Sequence, residues 1–268
     1  MFDTSSLNRM QRARGEALVA FDGARLRNLR QQGCAKALLP RVRGVPEAVF
    51  LNTAGGLTSG DCLSYGCEID AGTLIATTQS AERAYRAEHG PAHVAVRHRV
   101  GPGGWLDWLP QETILFDHAD LRRETVIDLA PQAGCLMLES VVLGRAAMGE
   151  TVRDLRFIDR RRITRAGRPV FLEPFGLTTD CLRAPRAAIL GTGRAFATLV
   201  LCAQDAQDAL SPARAALTVE GVQAAASGFD GKCVVRLIAS DGWPLRQQIL
   251  KLMAVLRRGA PPPRVWQI

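Results

Sequence analysis

Short apolar or alternating runs, separated by turn-forming residues, dominate this chain of 268 residues. They predict β-strands because every second side chain of a strand faces the same side. Glycine, proline and aspartate provide turn signals between the runs at short intervals. Many short strands with few helical patterns predict an all-β scaffold. The predicted strands are 16–21, 48–51, 73–79, 92–100, 104–109, 121–129, 135–142, 151–159, 168–172, 196–202 and 232–239.

Two segments near the C-terminus predict α-helices instead. Segment 211–217 offers Ser211 as an N-cap and Pro212 at the first helical position. Segment 244–258 has apolar residues at helical spacing and basic residues at its end. No stretch is long and polar enough to divide the chain, so we expect a single domain over residues 1–268, with residues 1–14 as an N-terminal tail.

A glycine-rich loop, LNTAGGLTSGD at 51–61, precedes a strand-like stretch at 62–70. It differs from a phosphate-binding P-loop because Asp61 stands where the lysine would be. A dinucleotide fingerprint would open a helix rather than a strand. The loop therefore predicts a backbone in tight conformations, with one carboxylate at a corner between two strands.

Composition indicates a reducing compartment and anionic partners. The formal net charge is +8, and only three of the 34 basic residues are lysines. Arginine forks pair well with carboxylates and phosphates; a GC-rich genome would also favour arginine. The seven cysteines are scattered and form no C-x-x-C pair. The N-terminus lacks an apolar signal region and no apolar run would span a bilayer, so we expect a cytoplasmic protein without membrane partners.

Histidine and cysteine spacing argues against a preformed metal site. His93 and His98 are five residues apart and would face opposite sides of one strand, and Cys62 and Cys67 have the same spacing. Carboxylates are more informative. Glu139 lies in the apolar run CLMLESVV and needs a cation, hydrogen bonds or internal water if it is buried. Arg145 is its nearest candidate partner in sequence.

Four motifs occur in one order along the chain: NTAGGLTSGD, TTQSAERAYR, LPQETILF and GRxxxGE. In that order and spacing the sequence resembles the UreD family of urease accessory proteins (UreH in some bacteria), from about residue 33 to 267. The resemblance implies a many-stranded, helix-like β scaffold with two α-helices near the C-terminus. The loop has Ser59 where the family pattern often has a further glycine, and it lacks a proline that often precedes the glycine pair.

The resemblance also implies a function in urease maturation. Family members act as scaffolds that bind the apo-urease subunits, an all-helical accessory protein (F) and a GTPase (G), and nickel moves through a water-filled passage. No cofactor is expected to be tightly bound, and nickel is in transit. A passage for a hydrated cation needs weak oxygen ligands, because a tight site would trap the ion. The candidate lining residues are Asp61, Thr78, Ser80, Glu139 and Glu173.

Structural roles remain open for several of these carboxylates. Asp61 would equally serve as a turn cap, and Glu139 as half of an ion pair. We expect Glu82 and Arg83 to form a local salt bridge at a strand end.

Two other functional classes remain as alternatives. A hydrolase would use paired carboxylates, although the chain has no Gly-x-Ser-x-Gly motif. An arginine-rich nucleic-acid binder would use the arginines between 153 and 168, whose only interleaved aromatic residue is Phe157. A solvated face, or a docking surface for acidic proteins, explains that run without nucleic acid.

Overall fold

The computed structural model describes residues 12–42, 44–145, 148–183 and 190–267, arranged as two β-sheets and a layer of helices. The seven-stranded first sheet has the spatial order β14 (Arg168–Thr178), β13 (Leu155–Arg165), β11 (Ala119–Leu129), β8 (Ala92–Val100), β5 (Cys62–Ile69), β1 (Arg14–Asp22) and β2 (Arg25–Gly33). The second sheet has the order β16 (Val222–Phe229), β17 (Lys232–Ala239), β15 (Ala195–Cys202), β12 (Gly134–Leu143), β9 (Trp105–Trp108), β6 (Thr73–Thr78), β4 (Glu47–Asn52) and β3 (Ala35–Leu38). Two short strands, β7 (Glu82–Ala84) and β10 (Thr113–Leu115), pair with each other, and β10 also pairs with β12.

The middle of the chain winds back and forth between the two sheets. Strands β4, β6, β9 and β12 enter the second sheet, while β5, β8, β11 and β13 enter the first, in alternation along the sequence. Successive strands within each sheet pair in parallel. This coil confirms the expected helix-like β scaffold.

The apolar core has two parts, one on each face of the second sheet. One cluster fills the space between the sheets and includes Phe50, Trp108 and Phe157. The other lies between the second sheet and the helices. Strands β12 and β15 are covered on both faces, which explains why their sequences are mostly apolar rather than alternating.

Over the described residues, three α-helices follow the coil: α1 (Thr179–Arg183), α2 (Leu210–Ala215) and α3 (Gly242–Leu256). The two helices expected near the C-terminus are confirmed as α2 and α3, but their starts differ from the prediction. The N-cap residue of α2 is Ala209, because a 3₁₀ turn at Ala206–Ala209 leads directly into the helix and places Ser211 inside it. Helix α3 begins earlier than predicted, because the Asp241 side chain accepts a hydrogen bond from the backbone N–H of Gly242.

Several strand predictions need correction. Strand β13 runs over Leu155–Arg165 rather than 151–159 and continues through a tight turn, with Ala166 and Gly167 at positive φ, into β14. The sequence pattern did not predict β2, β3, β7, β10 or β16. Residues 1–11 of the expected N-terminal tail lie outside the described residues, and β1 already begins at Arg14.

Candidate functional site

A cavity of about 70 Å³ opens between the two sheets. One water molecule needs about 10–15 Å³ measured in this way, so the cavity has room for several. Its wall combines aromatic and apolar side chains with a group of polar ones. The polar and charged residues on the wall are Asn52, Thr78, Ser80, Glu82, Arg83, Gln111, Thr113, Arg123 and Glu139.

Three of the sequence motifs converge on this cavity. The glycine loop contributes Asn52 and Gly55, TTQSAERAYR contributes its residues 78 and 80–83, and LPQETILF contributes residues 110, 111 and 113. The loop packs directly on the second motif: the Leu57 N–H donates to the Arg83 carbonyl at 2.7 Å. Gly56, at φ +155°, lies so close to the Tyr85 ring that a Cβ there would be 2.3 Å from it. The predicted tight backbone is therefore confirmed, and its role is close packing.

Glu139 lies on the cavity wall, 2 % exposed, and its carboxylate is fully engaged. One oxygen accepts hydrogen bonds from the Trp108 indole at 3.2 Å and the Thr125 hydroxyl at 3.1 Å. The other lies 2.8 Å from the Arg123 guanidinium. An ion-pair partner was expected, but its identity as Arg145 is wrong. Arg145 instead pairs with Glu150 at 2.9 Å, because both belong to one turn.

Arg123 begins a ladder of alternating charges that leads from the cavity to the surface. Its guanidinium contacts Asp159 at 2.6 Å, and Asp159 in turn contacts Arg161 at 2.5 Å. Arg161 reaches Glu173 at 2.7 Å, and Glu173 pairs with Arg236 at 2.8 Å. Only the last arginine is largely exposed, with 57 % of its side chain accessible. We call the six residues from Glu139 to Arg236 the charge ladder; its three carboxylates and three guanidinium groups neutralise each other.

Strand register produces the ladder. Arg123 and Asp159 are paired neighbours on β11 and β13, and Arg161 and Glu173 are paired neighbours on β13 and β14. Burial disfavours ionisation of Asp159, but the guanidinium groups of Arg123 and Arg161 outweigh it and hold the pKa of that carboxyl below its usual value. The two guanidinium groups therefore favour the charged form of the Asp159 carboxyl.

Asp61 lies outside the cavity and closes the glycine loop. Its carboxylate accepts hydrogen bonds at 2.8 Å from the backbone N–H groups of Ala13 and Thr58. The buried side chain thus connects the backbone just before β1 to the glycine loop. The turn-cap alternative fits these contacts.

Glu82 takes a position that the sequence did not suggest. No ion pair with Arg83 occurs within the described part of the chain, so the predicted local salt bridge is wrong. Its carboxylate accepts hydrogen bonds from the Asn52 amide at 3.2 Å and from the backbone N–H of Arg83. Burial raises the pKa of Glu82 to about 7, against the weaker opposing effects of these hydrogen bonds and of the Arg83 charge. A carboxyl on the cavity wall that titrates near neutrality can take up or release a cation or a proton.

The structure therefore brings together three of the five candidate lining residues. Thr78, Ser80 and Glu139 line the cavity; Asp61 and Glu173 do not. Glu173 belongs to the charge ladder.

The histidines and cysteines in the described part of the chain do not gather into a metal site. Over the described residues, no cluster of three or more potential ligands is present. As predicted, His93 and His98 face opposite ways: His93 is exposed, whereas His98 is buried. Both ring nitrogens of His98 lack a hydrogen-bond partner within the described residues, and burial lowers its pKa to about 3.

Comparison with known proteins identifies the family. The family model described as UreD urease accessory protein matches residues 13–267. The chain belongs to the UreD family. A urease accessory protein UreD from Cereibacter sphaeroides is 59 % identical over 96 % of both chains. Others from Paracoccus denitrificans and Rhizobium leguminosarum are 53 % and 45 % identical, each covering 97 % or more of both chains.

Membership of UreD confirms the resemblance carried by the four motifs and gives the chain an accessory role in urease maturation. No helix in the described residues is long and apolar enough to cross a membrane. Arg123 and Asp159 are central among the wall and ladder residues that sequence reasoning missed. Their signal was available: both occupy inward positions of alternating strands, in LxRxTxI and FxDxRxI.

Proposed function

We propose that this chain is a non-catalytic, cytoplasmic scaffold that helps deliver nickel to apo-urease through the polar cavity. Its partners in this proposal are the apo-urease subunits, the helical accessory protein F and the GTPase G. Nickel is cargo in transit rather than a resident cofactor.

The convergence of three motifs on one polar cavity carries this proposal. The wall offers hydroxyl, amide and carboxylate oxygens from Thr78, Ser80, Gln111, Glu82 and Glu139. Oxygen ligands bind nickel more weakly than thiolates or imidazoles do, so an ion on such a wall can leave again. Membership of a family of urease accessory proteins supports nickel as the ion.

Arg123 adds a reason for rapid release. Its guanidinium already neutralises Glu139, so a cation that binds this carboxylate must compete with a resident positive charge. Glu82 forms no ion pair within the described residues, although the charge of Arg83 acts on it more weakly, and its raised pKa makes it partly protonated near neutral pH. In this mechanism Glu82 provides the charge that attracts the ion, and Arg123 limits how long the ion stays at Glu139.

The test places a bulky side chain in the cavity wall. Ala81 lines the cavity and is partly exposed, so Ala81→Trp fills space without replacing a core residue. Cells that produce the urease subunits and the other accessory proteins would carry the wild-type chain, Ala81→Trp, or the matched control Ala254→Trp on the exposed face of α3. Urease activity and the nickel content of purified urease are measured at equal urease protein levels.

We expect Ala81→Trp to lower urease nickel and activity together while the variant still co-purifies with its partners. Ala254→Trp should activate urease normally. Full activation by Ala81→Trp would rule out the cavity as the route. Loss of co-purification with loss of activation would instead place the wall residues in a docking surface.

A further inference from the structure

The outer face of the first sheet carries a basic groove that the proposed passage does not use. Outward-facing side chains of four parallel neighbours, β5, β8, β11 and β13, form it, and its volume is about 620 Å³. Small side chains, Ser64 and Ala95, are paired neighbours on its floor. Long side chains surround them. We call this groove the arginine trough, defined by Cys62, Ser64, His93, Ala95, Arg97, Arg122, Glu124, Arg156, Ile158 and Arg160.

The trough has an excess of positive charge. Arg97 is neutralised by Glu124 at 2.6 Å. Arg122, Arg156 and Arg160 are all exposed, and none has a carboxylate within 4.0 Å in the parts of the chain that the structure describes. Three unneutralised guanidinium groups around one depression repel each other, and an anionic partner relieves this repulsion.

Spacing along β13 indicates the form of that partner. Arg156 and Arg160 are four residues apart on one strand, which corresponds to about 13 Å. Ile158 lies between them on the same face and is partly exposed. An extended peptide has the same rise per residue, so two acidic side chains four positions apart match the two arginines and an apolar side chain between them meets Ile158.

Nucleic acid fits the trough less well. Among the described residues that line it, no phenylalanine, tyrosine or tryptophan is available to stack on bases. Glu124 lies at the same cross-strand position as Ser64, Ala95 and Arg160 on the neighbouring strands. Its carboxylate would therefore repel a phosphodiester backbone bound in the trough. A protein segment of mixed charge accommodates such a carboxylate.

We propose that the arginine trough binds an extended acidic segment of a partner protein with the pattern acid–x–apolar–x–acid. The trough lies across the first sheet from the cavity. The proposal concerns a second surface and does not depend on nickel passage.

The test uses the full-length protein and fluorescence anisotropy. The probes are the fluorescein-labelled peptide ESLSESLSE, its neutral counterpart QSLSQSLSQ and a labelled single-stranded oligothymidylate. The trough variant is Arg122→Glu/Arg156→Glu/Arg160→Glu. The matched control, Arg25→Glu/Arg41→Glu/Arg168→Glu, makes the same charge change at exposed arginines outside the trough. Circular dichroism and thermal unfolding verify that both variants are folded, and Arg→Gln versions replace any that is not.

We expect the acidic peptide to bind the wild-type chain more tightly than the neutral peptide, with affinity falling as salt rises. The trough variant should lose at least tenfold in affinity and the control much less. Ile158→Ser should weaken ESLSESLSE but leave a version with serine in place of leucine unchanged. Equal losses in both triple variants would show nonspecific charge attraction, and tighter binding of oligothymidylate at the trough would show a nucleic-acid site; either result, or no binding, overturns the proposal.

Discussion

Replacing Arg123 with methionine tests the charge ladder at the point where it meets the cavity. The substitution keeps an unbranched apolar chain where the arginine stem lies but removes the buried charge that contacts both Glu139 and Asp159. Asp159 retains Arg161, which contacts it through two guanidinium nitrogens at 2.8 and 2.5 Å. Glu139 keeps only the Trp108 and Thr125 donors and becomes a buried carboxylate without a cation.

Removing one partner of a buried ion pair costs about 3–5 kcal/mol. Since Asp159 remains paired, we expect Arg123→Met to lower the free energy of unfolding by about 3 kcal/mol, the low end of that range. The double variant Arg123→Met/Glu139→Gln removes the stranded charge as well, so it should lose only about 1 kcal/mol. With the single variant Glu139→Gln completing the cycle, the coupling energy between the two sites is then at least about 2 kcal/mol.

Urea unfolding followed by tryptophan fluorescence measures these differences, and Trp108 reports directly on the site. Arg123→Lys serves as a control because it keeps the charge but loses the forked geometry; we expect an intermediate loss. The reasoning is refuted if Arg123→Met loses less than about 1 kcal/mol, or if the double variant is as unstable as the single one.

Three further predictions concern single side chains. Because the pKa of Glu82 is higher in the folded state, its contribution to stability falls as pH rises from 4.5 to about 7. Glu82→Gln should remove this part of the pH dependence of the unfolding free energy measured in urea titrations. An unchanged pH profile would contradict the buried environment assigned to Glu82. Asp61→Ala should cost about 1–3 kcal/mol, because two backbone N–H groups lose their acceptor; unchanged urea unfolding would exclude the turn-cap role. The pKa of His98 is lowered from 6.5 to about 3, so the unfolded chain takes up a proton that the fold excludes, and stability falls as pH drops through that window. His98→Leu should remove this acid sensitivity and leave the stability at neutral pH within about 1 kcal/mol of wild type. Thermal unfolding measured between pH 6.5 and 3 tests this, and an equal loss of stability in both proteins would refute it.

The sequence predicted the regular parts of the fold well where alternation is visible. Strands β8 and β17 match the predicted ranges 92–100 and 232–239. Strand β2 was missed because all nine of its residues are exposed, so neither face carries an apolar pattern. Strand β16 has a similar cause: only one of its residues is buried.

Only part of the cavity wall was predicted, because contacts between distant strands cannot be read from the sequence. Thr78 and Ser80 stand in one motif, and Glu139 stands out as a carboxylate in an apolar run, so all three were candidates for the wall. The partner of Glu139 was wrong because proximity in sequence pointed to Arg145, whereas the true partner lies on a strand of the opposite sheet. Sheet pairing and winding decide such contacts, and a single sequence gives neither directly.

The winding of the chain between two sheets has a consequence for how this family can vary. Each turn of the coil contributes one inward side chain to a level, meaning a row of paired residues that crosses the parallel strands. Leu63, Val94, Arg123 and Asp159 form such a level beside the cavity. A substitution at one turn alters one position on one level, while the levels above and below keep their own side chains. Lineages can therefore adjust the width or charge of the interior one residue at a time, without changing the backbone that surrounds it.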